Sequence, residues 1–224
     1  MPILLFDIDG TLVRTGGAGK VAMEAALCEE FGIPLTIEDV PYSGRTDLAI
    51  GRDLLIAHGI EPTLANQEKL REGYLSRLPS ALAKNVGEVC PGIADLIDDL
   101  RVRSNVLLGL LTGNVRRGAE KKLGHYGLWR HFACGGFGDD CYDRDDVARA
   151  AIKSLNSHRT KVDLNEVWVI GDTPLDVSCA RAVGAKVIAV ATGWHPIEAL
   201  HETGADLVLK DLADTKAVLK AWGI

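Results

Sequence analysis

The chain has 224 residues, 47% of them hydrophobic and 25% charged, with a formal net charge of -6. A chain this long buries roughly 70% of its unfolded surface and needs no staple to fold. The acidic balance gives no general attraction for nucleic acid or for anionic membranes, so neither is expected as a partner. Five cysteines, odd in number and with no CxxC pair, predict a reducing compartment. The N-terminus has no basic lead-in and meets Asp7 too soon for a signal peptide. Its apolar runs fall far short of the ~20 residues a membrane helix needs, so a cytoplasmic protein is expected.

In chain order, the first element is a continuous apolar run over 3–6, read as a buried strand. Helical spacing follows over 17–30, 47–58 and 63–77, punctuated by Pro34, Pro41, Pro62 and Pro79, with no convincing strand among them. Residues 15–86 are therefore read as a helical insert, with hinges at Gly16-Gly17 and at 85–92. Beyond it, helix is predicted over 93–100, strand over 106–111 and helix over 115–123 and 145–155. Strand over 167–170, helix over 174–183, strand over 186–190 and helix over 211–222 complete the pattern. This alternation predicts an α/β fold, a doubly wound parallel sheet of Rossmann-like type. Its core comprises 1–14 and 87–224, with 15–86 as an inserted cap domain. Right-handed crossovers place all strand C-termini along one edge, where such sheets bind ligands.

Three clusters fall on that edge. In Phe6-Asp7-Ile8-Asp9-Gly10-Thr11, a buried strand delivers two carboxylates into a glycine turn. Residues two apart in extended backbone face one side, so Asp7 and Asp9 can converge. Two buried carboxylates need a cation or a shared proton, and Mg²⁺, with oxygen ligands, answers that need. Taken alone, the segment also reads as an acidic turn capping a helix. In Ile170-Gly171-Asp172-Thr173-Pro174-Leu175-Asp176, a second strand ends in Asp172, with Asp176 one helical turn later. Asp172 by itself reads equally as a helix N-cap. Thr112-Gly113-Asn114 ends a third strand before a helix whose first amides suit an anion, or is a simple strand-to-helix turn.

These segments resemble motifs one, two and four of the haloacid dehalogenase superfamily, in the right order along the whole chain and with a helical insert of the first cap type. The resemblance is greatest to the phosphoglycolate-phosphatase-like branch. It implies a magnesium-dependent phosphatase of small phosphorylated metabolites, phosphoglycolate first among them. Asp7 would be nucleophile and Mg²⁺ ligand; Asp9 would act as general acid, then base, and lend the metal its backbone carbonyl. Asp172 would be the remaining carboxylate ligand and Asp176 a supporting acid. Thr112 would bind the phosphoryl group, with Gly10, Gly113 and Asn114 around it.

The superfamily's third motif usually supplies a lysine, and here the sequence departs from it. The stretch 139–146 holds only one cation, Arg144, which is assigned the role because guanidinium can fork between Asp7 and a phosphoryl oxygen. Lys153 falls deep in a helix and Lys161 in a polar loop; a surface-arginine reading of Arg144 remains open. In the insert, Arg45 of Ser43-Gly44-Arg45-Thr46-Asp47 either holds a second anionic group of the substrate or is a solvated helix-start residue. Asp9 argues against a dehalogenase, because a halide leaves unprotonated. A phosphomutase uses the same four motifs, and a non-catalytic binding protein would require a decayed site.

Overall fold

A computed structural model describes residues 1–34, 40–158 and 162–224. Six parallel strands form the central sheet in the order β5-β4-β1-β6-β7-β8. They are β1 (Ile3–Phe6), β4 (Leu107–Leu111), β5 (Cys134–Gly136), β6 (Val167–Gly171), β7 (Lys186–Val190) and β8 (Leu207–Leu209). β1 lies between β4 and β6, with Phe6 opposite Leu110 on one side and Ile170 on the other. The strand order thus reverses at β1, and a crevice opens beyond the strand ends at such a point.

The continuous apolar character of β1 follows from cover on both faces. Leu4 and Phe6 enter one hydrophobic cluster with α4 (Ile93–Leu100), α5 (Arg116–His125) and α9 (Thr215–Trp222). Ile3 and Leu5 enter another with α6 (Arg144–His158) and α7 (Pro174–Ala182). Each such side chain contributes about 1.5–3 kcal/mol on burial. A short helix, α8 (Ile197–His201), completes the core.

Between β2 (Val13–Arg14) and β3 (Glu88–Val89), which pair antiparallel, the chain makes α1 (Ala18–Phe31), α2 (Asp47–Ala57) and α3 (Leu64–Lys84). These helices bury a cluster of their own, including Met23, Leu27, Leu55, Tyr74 and Leu78. α2 begins at Thr46, whose hydroxyl accepts from the Ala49 N–H at 3.1 Å. α3 continues past the expected end at 77 because Pro79 lies on the exposed face. Leu78, Ala81 and Leu82 on either side of it stay buried, so the packed face of the helix runs on past the proline. α9 starts later than 211 because Asp214 caps it, accepting from the Ala217 N–H. Among the described residues no helix is long and apolar enough to cross a membrane.

Candidate active site

Asp7 extends the sheet by one bond beyond β1, its N–H donating to Ile170 O at 2.9 Å. The chain then turns sharply: the Gly10 N–H returns to Val13 O at 2.8 Å, and the Val13 N–H to Ile8 O at 3.0 Å. Gly10 takes φ +87°, which favours glycine, and a Cβ there would lie 2.4 Å from Asp172 Oδ2. On the other side of the same carboxylate, a Cβ on Gly193 would lie 1.7 Å from Oδ2. Asp172 is thus seated between two backbones, and the Thr11 hydroxyl donates to its Oδ1 at 3.0 Å.

Arg144, the first residue of α6, is 5% exposed and places Nη2 2.9 Å from Asp7 Oδ1. The same Nη2 donates to Asp176 Oδ1, while Nη1 donates to Gly44 O at 3.1 Å. Asp176 is fully buried; its second oxygen accepts from the Thr173 N–H and hydroxyl at 3.0 and 2.7 Å. The surface-arginine reading is therefore not what the geometry shows. Lys153 is exposed on α6, and Lys161 lies outside the described residues.

One ligand oxygen from each of Asp7, Asp172 and Asp176 lies within 4.8 Å of the others, all three residues buried. Burial pushes the Asp7 carboxyl up to about 6 against the pull of Arg144, with Asp176 and Asp9 adding to the rise. Asp172 is held well above the usual carboxylate range by burial, then by Asp176 and Asp7. Burial works against the charge on Arg144, but Asp176 and Asp7 outweigh it and hold the guanidinium well above its ordinary range. Three carboxylates against one guanidinium leave excess negative charge in an oxygen-only donor set. That suits a hard divalent cation. Asp7 and Asp172 are the better placed ligands, because both oxygens of Asp176 are already engaged.

Asp9 does not join this cluster with its side chain. Its Oδ2 accepts from Lys122 Nζ at 2.6 Å and from Asn114 Nδ2 at 2.8 Å. Asn114 Nδ2 also donates to Thr112 Oγ1 at 2.9 Å. Thr112 is fully buried and does not line the cavity, whereas Gly113 and Asn114 do. Sequence reasoning passed over Lys122, the buried cation that reaches Asp9. Its signal was present: it follows Val115 by seven residues and Ala119 by three, on the buried stripe of α5.

The cavity measures about 860 Å³. Asp7, Asp9, Gly10, Asn114, Arg144 and Asp172 line its floor; Met23, Tyr42, Arg45, Asp47, Ile50 and Tyr74 line its roof. Residues 43–47 lock roof to floor. The Asp47 N–H donates to Gly113 O at 2.8 Å, and its carboxylate accepts from the Val115 N–H at 2.9 Å. A Cβ on Gly113 would lie 2.1 Å from Arg45 O. Arg45 lines the cavity, but its guanidinium is bound to Asp53 at 2.5 Å and to Pro41 O at 3.1 Å.

The profile of haloacid dehalogenase-like hydrolases matches residues 4–181. A phosphoglycolate phosphatase of Synechococcus elongatus is 29% identical over 222 residues, covering 96% of this chain and 95% of that one. One from Cereibacter sphaeroides is 26% identical over 209 residues, covering 91% and 92%. In shape, a hydrolase from Pseudomonas syringae superposes with a TM-score of 0.75 at 24% identity, covering 99% of each chain. CbbY from Rhodobacter sphaeroides, in complex with phosphate, gives 0.75 at 21% identity and 96% of each. At those identities the structures speak for the fold alone. With its profile matched over most of its length and its acids gathered at the strand ends, the chain belongs to the haloacid dehalogenase-like hydrolase family.

Proposed function

We propose that this protein is a magnesium-dependent phosphatase of small phosphorylated metabolites that works through an aspartyl-phosphate on Asp7, with phosphoglycolate as the first substrate to test. The observation that carries the reading is the Asp7 carboxylate at the cavity floor, 2.9 Å from a buried guanidinium and two residues from a second cavity-lining acid. The curated relatives named phosphoglycolate phosphatase supply the substrate. We take residues 15–86 as the cap and 1–14 with 87–224 as the catalytic core.

Asp7, Asp172 and the backbone carbonyl of Asp9 would hold Mg²⁺, which supplies charge neutralisation between nucleophile and phosphate. Asp7 attacks phosphorus in line, and Asp9 delivers its proton to the departing oxygen as the P–O bond breaks. Deprotonated Asp9 then takes a proton from water, which hydrolyses the acyl phosphate and regenerates Asp7. Arg144 meets negative charge on the transferring group, and its contact with Asp7 fixes the attacking oxygen. Gly10, Gly113 and Asn114 face the phosphoryl group, and Thr112 anchors Asn114 from behind. Arg45 would reach an anionic substrate group only on leaving Asp53.

The roof excludes bulk water from the acyl phosphate. Five cysteines, none of them in a disulfide, accord with a cytoplasmic enzyme. Phosphate release from a panel of phosphorylated metabolites, with and without Mg²⁺, tests the reading. Absence of Mg²⁺-dependent turnover on phosphoglycolate, on sugar phosphates and on p-nitrophenyl phosphate would overturn it.

A further inference from the structure

Lys122 has no part in the chemistry above, yet its side chain is 5% exposed and ends 2.6 Å from Asp9. We propose that Lys122 is a positioning residue for Asp9, and that the cap in turn holds Lys122 in place; this rests on Asp9 being the general acid.

The hydrogen bonds at Asp9 are unequal. Lys122 Nζ and Asn114 Nδ2 both donate to Oδ2, at 2.6 and 2.8 Å. A carboxylate oxygen occupied by two donors is a poor place for a proton, so the proton rides on Oδ1. Pinning Oδ2 from two sides fixes the carboxylate's rotation and so the direction in which Oδ1 points. Asp9 lines the cavity, and its side chain is 41% exposed beside a buried lysine, so the unpinned part of the group is what substrate meets. In the forward step Oδ1–H gives its proton to the leaving oxygen as the P–O bond breaks. In the return step Oδ1 receives one from water. Oδ2 stays bound to Lys122 and Asn114 throughout.

Lys122 is built to remain an ammonium. Burial acts to discharge it, but Asp9 and Asp47, with Asp7 beyond, outweigh burial and raise it above the usual lysine range. The cap meets it on two sides. Gly19 of α1 leaves just enough room: a Cβ there would sit 3.2 Å from Nζ and 3.5 Å from Cε. Asp47, at the start of α2, adds the second negative charge.

The test compares two phosphate esters by kcat/KM, which reports every step up to leaving-group departure. One is the alkyl phosphate that the wild-type enzyme turns over fastest. The other is p-nitrophenyl phosphate, whose leaving group departs without a proton. Correct general-acid placement contributes roughly 10²–10⁴-fold. Lys122→Met should therefore lower kcat/KM on the alkyl ester about 100-fold or more, with a loss on the aryl ester at least tenfold smaller and KM shifted less than about threefold. Gly19→Ala, which keeps every charge and crowds Nζ, should show the same selectivity on a smaller scale, about tenfold. Equal losses on both esters would make Lys122 merely structural and overturn the proposal. So would a KM increase confined to esters with an anionic leaving group, since Lys122 would then bind substrate directly. If Lys122→Met shows no cooperative melting transition, Gly19→Ala decides by the same criterion. A wild-type enzyme that hydrolyses neither ester would instead bring down the phosphatase reading on which this one stands.

Discussion

Arg144 Nη2 bridges two carboxylates at once, Asp7 Oδ1 at 2.9 Å and Asp176 Oδ1, in a place almost closed to solvent. A lysine ammonium could approach one of these oxygens, but it lacks the planar fork that serves Asp7, Asp176 and the Gly44 carbonyl together. Arg144→Ala should lower kcat/KM by about 10²–10³, the usual scale for loss of one preorganised donor. It should also destabilise the fold by about 3 kcal/mol, because two buried acids lose their shared partner. Arg144→Lys should recover part of the rate. Steady-state kinetics and urea unfolding check both halves; unchanged kinetics in Arg144→Ala would remove Arg144 from the mechanism.

Asp7→Asn should abolish turnover while the protein still melts cooperatively, since an amide is too weak a nucleophile to attack phosphorus. Activity must be measured on protein shown by mass spectrometry to be free of deamidation. Wild-type rates in such a sample would exclude Asp7 as nucleophile.

The pH dependence of stability has a definite sign at Asp7. Its carboxyl is pushed from 3.8 to about 6 by burial, so between these values the folded protein binds the extra proton. Stability of metal-free protein should then fall as pH rises from about 4 to about 6 and change no further above that, by up to about 3 kcal/mol from this group. Asp7→Asn should flatten that slope. Because the metal takes the ionised carboxylate, the rise in Tm on adding Mg²⁺ should grow across the same interval. Thermal melts at stepped pH, with chelator and with Mg²⁺, measure both effects; a Mg²⁺ increment independent of pH would contradict the assignment.

Gly193→Ala tests the seating of Asp172 without removing a charged group. The new Cβ would fall 1.7 Å from Asp172 Oδ2, so the carboxylate must move. Mg²⁺ affinity, by titration calorimetry, should weaken at least about tenfold, the lower end of what disturbing a ligand's support usually does. Unaltered affinity would show that Asp172 does not hold the metal.

The strands bearing the acids were legible because cover on both faces demands continuous apolar runs, as at Ile3, Leu4, Leu5 and Phe6. β5 escaped notice because Cys134-Gly135-Gly136 lacks strand-forming side chains. Its glycines are needed for close approach: a Cβ on Gly135 would lie 2.7 Å from Leu110 O. β8 is three half-buried residues long, below what periodicity resolves. Arg144 could be singled out as the one cation in an acidic stretch. Lys122 was harder to pick out, because Arg116, Arg117, Glu120 and Lys121 surround it in the same helix and only the buried register sets it apart. Arg45 was drawn toward the substrate by its neighbours in sequence, but Asp53, two turns along α2, holds its guanidinium.

The position of β1 between β4 and β6 bears on how the protein is made. β1 is synthesised before both of its partners, which pair with it on either side and emerge only after residue 107 and residue 167. The three helices between β2 and β3, by contrast, bury much of their apolar surface against one another. During synthesis those helices can assemble while β1 waits, its apolar faces open, for three quarters of the chain. Domains form as units from the N-terminal side, and long-range parallel pairing is slow. The interval in which a nascent chain most needs protection from aggregation therefore runs from the first turn of α1 to the end of β6.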